Sequence, residues 1–239
     1  MLPRGLRARV ILNDKDRDCD RFNGVGMTSP RTRARMVARL REKGIRDETV
    51  LAAMNAVPRH IFVEESLASR AYDDTPLPIG YGQTISQPWV VARMTELARA
   101  GKPLRTVLEI GSDSGYQTAV LALAAEHIYT VERIGALVAQ ARRHLRELKL
   151  TNVAIKHGDG SAAMDESLQV DAIVVTAGAT ALPEALLAHL EIGGRMVVPL
   201  AVEGRAELQR LTVIERTANG FKEQTLEAVR FVPLLPGTA

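Results

Sequence analysis

Residues 106–132 constrain the fold more than any other part of the chain. An apolar run (Val107, Leu108, Ile110) ends in Gly111-Ser-Asp-Ser-Gly115, an Ala/Leu-rich segment follows, and a second apolar run closes on Glu132. Strand, glycine-bearing turn, helix, strand and terminal acid is the pattern of a βαβ unit. Its first turn lets the backbone approach a ligand closely, and its terminal carboxylate suits a ribose diol. The unit therefore points to a nucleoside-containing cofactor. A dinucleotide site needs G-x-G-x-x-G with a helix N-terminus facing a pyrophosphate. Here Gly111 and Gly115 enclose Asp113, and Glu109 adds a second acid. Acids repel a pyrophosphate and tolerate a cationic ligand better. S-adenosyl-L-methionine, with its sulfonium and ammonium, is the expected cofactor, and a dinucleotide is the alternative. Candidate contacts are Glu109, Gly111, Ser112, Asp113, Ser114, Gly115 and Glu132.

Downstream the alternation continues. The pattern predicts strands over 106–110, 127–131, 153–157, 170–176 and 195–199, with helices over 115–125, 134–149 and 182–190. Gly193-Gly194 is expected to turn the chain into the fifth strand. Alternation at these lengths implies a parallel sheet covered on both faces. The tail differs: Asn219-Gly220, a strong hairpin signal, separates strand-like runs at 208–215 and 223–232. Upstream, Ser29-Pro30 reads as an N-cap with proline at the first helical position, and that helix runs to about Lys43. Asp47 caps a second helix, and a third starts at Pro88 and reaches about Ala100. Between them, residues 59–88 are broken by Pro76, Pro78, Gly80 and Gly82 and read as loop. The expected fold is α/β, a doubly wound Rossmann-like methyltransferase fold. Its sheet is mostly parallel, with an antiparallel C-terminal hairpin and an N-terminal helical segment. Residues 1–28 form an arm, 29–100 a helical and loop-rich part, and 101–239 the core. In such sheets ligands sit at the carboxyl ends of the strands. Residues 109–115, Glu132, Asp159, Gly160 and Thr176 all follow predicted strand ends, and Asp159 is placed at the adenine edge or ribose.

Charge is uneven. The formal net charge is +3. Residues 1–43 hold 12 Lys/Arg against 5 Asp/Glu, a local +7, which leaves the remainder at −4. A basic arm can bind nucleic acid. Its one aromatic residue, Phe22, makes no interleaved stacking pattern with its charges, so a solvated, poorly ordered extension is the expectation. No apolar run is long enough to cross a membrane, and the N-terminus lacks the apolar core of a secretory signal. Cys19 is the single cysteine and the histidines are scattered, so neither an internal disulfide nor a metal site is expected. A monomer in the cytoplasm fits these features.

The loop Gly80-Tyr-Gly-Gln-Thr-Ile-Ser-Gln-Pro88 is too unusual for a generic connector. Together with Val57-Pro-Arg-His-Ile-Phe-Val63, the loop from Glu109 to Gln117, Val131-Glu-Arg-Ile134, Gly158-Asp-Gly160 and Glu227-Ala-Val-Arg-Phe-Val-Pro233, it resembles the protein-L-isoaspartate O-methyltransferases over about residues 30–235. The resemblance implies methyl transfer from S-adenosyl-L-methionine to the free carboxylate of isoaspartyl, and by extension D-aspartyl, residues in damaged proteins and peptides. It implies S-adenosyl-L-homocysteine as product. Ser86 matches the residue usually given as the active site. Gln83, Thr84 and Ile85 fall at the junction of cofactor and substrate, with Thr84, Ser86 and Gln87 toward the substrate. Glu109, Gly111, Glu132, Asp159 and Gly160 fall on cofactor positions. Ser86 also reads as a cap for the third helix. One departure matters: the family usually has glycine where Asp113 stands. Its carboxylate is expected beside the carboxylate of the cofactor's methionine part, weakening binding. Two other readings stay open: a same-fold methyltransferase acting on a small molecule or nucleic acid, and a binding protein in which Asp113 has impaired cofactor use.

Overall fold

The computed structural model describes residues 24–161 and 167–239. Most of the N-terminal arm lies outside that range. Helix α1 (Pro30–Glu42) starts where the capping signal places it: the Ser29 hydroxyl accepts from the Thr32 N–H, with Pro30 at the first helical position. Met36 and Leu40 form its buried stripe. Helix α2 (Glu48–Ala56) is capped by Asp47, whose Oδ1 accepts from the N–H groups of Thr49 and Val50 at 2.9 and 3.2 Å. That cap satisfies amides that would otherwise be orphaned in the first turn.

Residues 59–88 carry more structure than the proline and glycine count predicts. Two short 3₁₀ turns (Arg59–Phe62 and Glu65–Arg70) precede a hairpin of β1 (Leu77–Gly80) and β2 (Gln83–Ile85). Arg59, fully buried, donates from Nε to the Ala71 carbonyl at 2.7 Å and lies 4.6 Å from the centre of the Tyr116 ring. The segment is thereby fastened over the core. Helix α3 (Pro88–Arg99) begins directly after Ser86 and Gln87. The expected Ser86 cap is not made. Gln87 holds the N-cap position without a side-chain bond, and the Trp89 N–H donates instead to Asp74 Oδ1 at 2.8 Å. A loop distant in sequence has taken the capping role, which leaves the Ser86 side chain for other work.

The core follows the alternation: β3 (Leu104–Ile110), α4 (Tyr116–Ala124), β4 (Ala125–Glu132), α5 (Gly135–Glu147), β5 (Val153–His157), β6 (Val170–Val175), α6 (Glu184–Leu187), β7 (Leu190–Val202), β8 (Arg205–Thr217) and β9 (Gly220–Val229). They form a seven-stranded sheet in the order β5-β4-β3-β6-β7-β8-β9. The first five of these are mutually parallel; β8 and β9 are antiparallel additions. The helix expected over 182–190 shrinks to α6, because strand pairing claims the chain from Leu190 onward. Gly193 and Gly194 accordingly lie inside β7, where the pairing with β6 shifts register, rather than forming a turn before it. Apolar clusters fill both faces of the sheet, with Val107, Val174 and Val197 on one and Leu108, Ile173 and Met196 on the other. Successive strand residues point to opposite faces, so central strands buried on both sides read as apolar runs. Among the described residues no helix is long and apolar enough to cross a membrane. The order in which strands are added reverses between β3 and β6, although the two are parallel, and the crevice at that switch point is where such sheets bind ligands.

Candidate active site

The turn after β3 alternates into left-handed backbone. Gly111, Asp113 and Gly115 have φ of +95°, +49° and +94°. At Gly111 an added Cβ would lie 2.3 Å from the Thr176 hydroxyl. At Gly115 it would lie 3.2 Å from the Ala141 Cα, so glycine lets α4 and α5 pack closely. Thr176, just past β6, holds the turn down: its hydroxyl is 2.9 and 2.6 Å from the carbonyls of Ile110 and Gly111.

Glu132 ends β4 and is 3% exposed. Its Oε2 accepts from the Asp113 N–H at 3.0 Å and its Oε1 from the Ile134 N–H at 2.8 Å. One carboxylate thus ties the glycine turn to the start of α5. Glu109 is fully buried beneath the turn. Its Oε2 accepts from the hydroxyls of Thr118 and Thr130 at 2.5 and 2.6 Å, and Oε1 has no partner among the described residues. Burial pushes its pKa up to about 7 against the pull of those hydroxyls. Burial, then Glu132 and Glu109, push the Asp113 carboxyl well above the ordinary aspartate value.

A pocket opens at the carboxyl ends of the strands, where α/β sheets of this kind bind ligands. Gln83, Gly111, Asp113, Glu132 and Gly160 line it, together with Thr176 and Val232–Leu235 of the tail. Beside it a larger cleft is walled by Thr84, Ser86, Gln87, Trp89, Val90 and the segment 228–232. A small void between the two touches Ile85, Ser86, Ser112, Asp113 and Ser114. Thr176 lines all of these spaces. Of the residues singled out in the sequence, Glu109, Gly115 and Asp159 line none of them. Glu109 and Gly115 support the turn from beneath. Asp159 accepts from the Ser161 N–H at 2.8 Å and from the Gly237 N–H at 2.6 Å, and so anchors the C-terminal tail.

From the sequence, Thr176 follows a strand end and the segment 228–235 has no expected role in the site. The motif from Glu227 to Pro233 was the available signal. Its position depends on a distant amide: Gln209 accepts from the Phe231 N–H at 2.7 Å and donates to the Phe231 carbonyl at 3.1 Å.

The residues present fit S-adenosyl-L-methionine. The Ser112 and Ser114 hydroxyls are buried without partners among the described residues, and the pocket wall carries the acids Asp113 and Glu132 beside Arg133 and no phosphate cradle. Fold and site together define an S-adenosylmethionine-dependent methyltransferase. The chain belongs to the protein-L-isoaspartate(D-aspartate) O-methyltransferase family, whose family model matches residues 31–239. It is 56% identical over 221 residues to the protein-L-isoaspartate O-methyltransferase of Methylobacillus flagellatus, covering 91% of this chain and 97% of that one. The Nitrosomonas eutropha enzyme of the same name is also 56% identical, over 220 residues, with 91% and 97% coverage. A solved protein-L-isoaspartate O-methyltransferase superposes with a TM-score of 0.76 at 26% identity, over 84% of this chain and 65% of that longer one. A Plasmodium falciparum structure described by the same activity, in complex with S-adenosyl-L-homocysteine, gives 0.71 at 28% identity, over 85% and 98%.

Where the resemblance implies glycine, Asp113 adds a carboxyl group and a Cβ to left-handed backbone. Left-handed backbone costs a non-glycine residue about 1 kcal/mol. The raised pKa shifts the Coulombic part of the expected penalty toward alkaline pH, since a protonated carboxyl repels neither Glu132 nor a ligand carboxylate. Calorimetry with S-adenosyl-L-homocysteine should show wild-type affinity falling as pH rises through the Asp113 titration. Asp113→Asn should remove that fall. Asp113→Gly should also remove that fall and should raise folding stability by about 1 kcal/mol through the relieved backbone strain. Identical profiles for all three proteins would show that the side chain has no part in binding.

Proposed function

We propose that this chain methylates the free carboxylate of L-isoaspartyl residues in damaged proteins and peptides, with Ser86 holding that carboxylate. The carrying observation is the junction at Thr176, where the pocket walled by the glycine turn and Glu132 meets the open cleft beside Ser86. S-adenosyl-L-methionine supplies an already activated methyl group when bound. Gly111, Asp113, Glu132, Gly160 and Gln83 would hold it through the cavity wall, with Ser112 and Ser114 offering hydroxyls from the turn. An isoaspartyl carboxylate has an ordinary pKa of about 3–4 and is ionised at neutral pH, so the protein needs no general base. No histidine lines the cleft among the described residues, which suits Ser86 as a hydrogen-bond donor and not a covalent nucleophile. The Ser86 hydroxyl makes no hydrogen bond to the described residues and is available to a substrate oxygen. Trp89, Val90, Phe231 and Val232 give the cleft an apolar wall that would help exclude water from the reacting atoms. The protein's contribution is positioning, worth up to about 7–11 kcal/mol in well-oriented reactions. Methylation lets the ester re-close to succinimide and reopen partly to normal aspartate, which makes the reaction a repair step. We place the enzyme in the cytoplasm as a monomer, in keeping with its single cysteine.

An isoaspartyl peptide should gain a base-labile methyl ester while its aspartyl twin gains little. Equal labelling of both, or label on nitrogen, would overturn the assignment. Ser86→Ala should lower turnover by about 10- to 150-fold, the value of a hydrogen bond to a charged group. Its affinity for S-adenosyl-L-homocysteine should stay within about twofold. Loss of that affinity would move Ser86 into the cofactor site.

A further inference from the structure

The cleft beside Ser86 has a neutral and largely apolar lining, with one exception. Among its described lining residues Arg230 is the only charged one. Its side chain is exposed and makes no hydrogen bond or ion pair with the described residues. Two acids near the cleft already pair with other cations. Glu227 pairs with Arg93 at 2.9 Å, and Asp74 pairs with Lys43 at 2.5 Å while also capping α3. The backbone next to Arg230 is held in place, because Gln209 grips both polar groups of Phe231. A fixed main chain thus presents an unneutralised guanidinium at the mouth of the substrate cleft.

We propose that Arg230 is a specificity-determining residue that binds the isoaspartyl carboxylate and so separates the anionic substrate from its uncharged methyl ester, an inference that rests on the methyl-transfer reading above. The reaction removes one negative charge from the ligand. The Ser86 hydroxyl can donate to a carboxylate or to an ester carbonyl alike and cannot sense that change. A guanidinium can. Its planar fork matches a carboxylate, and charge-assisted bonds of this kind are stronger than neutral ones. Apolar neighbours such as Trp89, Val90 and Phe231 lower the local dielectric and strengthen the attraction. One carboxylate oxygen paired with Arg230 leaves the other for attack. Once the ester forms, the pairing lapses and product leaves.

The test uses the full chain with S-adenosyl-L-homocysteine bound. It compares the affinity of an isoaspartyl peptide, otherwise free of charged side chains, with that of its chemically prepared methyl ester. The wild type should bind the acid about tenfold or more tightly than the ester at low salt, in the range set by a hydrogen bond to a charged group, and the ratio should shrink at high salt. Arg230→Gln should bring the ratio to within about twofold and raise the peptide KM about tenfold, with kcat and S-adenosyl-L-homocysteine affinity within about twofold of wild type. Arg230→Lys should keep part of the preference. A wild-type ratio retained in Arg230→Gln would overturn the proposal. So would a parallel loss of S-adenosyl-L-homocysteine affinity, which would mark Arg230 as part of the cofactor wall. Failure of the wild type to form any ester on the isoaspartyl peptide would instead sink the methyl-transfer reading itself.

Discussion

Gly111→Ala should reduce S-adenosyl-L-homocysteine affinity by at least about 100-fold and lower Tm by about 5–15 °C. Two separable effects act there. Alanine at φ +95° is strained by about 1–2 kcal/mol relative to glycine. Its Cβ would also sit 2.3 Å from the Thr176 hydroxyl, which is itself bound to the Ile110 and Gly111 carbonyls. Displacing that hydroxyl costs about 1–3 kcal/mol in lost buried hydrogen bonding. Adding Thr176→Ala to Gly111→Ala should restore the steric part, since the Thr176 Cβ lies at an ordinary 3.7 Å, and leave the backbone part. Near-wild-type binding and melting in the single variant would mean that the turn is free to adopt another conformation.

Glu109→Gln should change how stability depends on pH. Between about pH 4.5 and about 7 the folded protein keeps the Glu109 proton that the unfolded chain has released. The unfolded state then binds fewer protons, so this group makes stability fall as pH rises. A shift of that size is worth about 3 kcal/mol at full extent. Glutamine does not titrate. Its carbonyl can still accept from Thr118 and Thr130, at some cost for burying amide hydrogens where Oε1 lacks a partner. Denaturant unfolding at a series of pH values should therefore show the variant gaining on wild type by about 3 kcal/mol between pH 4.5 and 8. Parallel curves would show that Glu109 ionises normally and that water or another donor reaches it.

Both predictions concern residues that were legible in the sequence, but for reasons that were not. The strand–turn–helix–strand pattern of 106–132 marked Gly111 and Glu109 as site residues. It could not tell that Glu109 faces Thr118 and Thr130 beneath the turn while Glu132 faces the cavity. Glu132 ends β4 and Glu109 lies one residue before the end of β3, and strand periodicity gives no information about which neighbours cover each. The same limit explains Ser86. Local chemistry made it a plausible helix cap, and the cap came from Asp74 instead. Residues 182–190 failed for a related reason: helical spacing was present, and pairing of Leu190 with Val170 outweighed it.

By itself the sequence determined whatever depends on neighbours in the chain. The Ser29 and Asp47 caps, the parallel strands and their helices, the hairpin at Asn219-Gly220 and the glycines of the turn all follow from side-chain period and local backbone chemistry. Only the tertiary structure decided what depends on residues far apart in sequence. It buried Arg59 against Tyr116, set Thr176 at the meeting of cavity and cleft, and let Gln209 place the segment that carries Arg230. The physical reason is that burial and hydrogen-bond partnership belong to pairs of surfaces. A chain's local pattern specifies each surface, and packing alone chooses which of them meet.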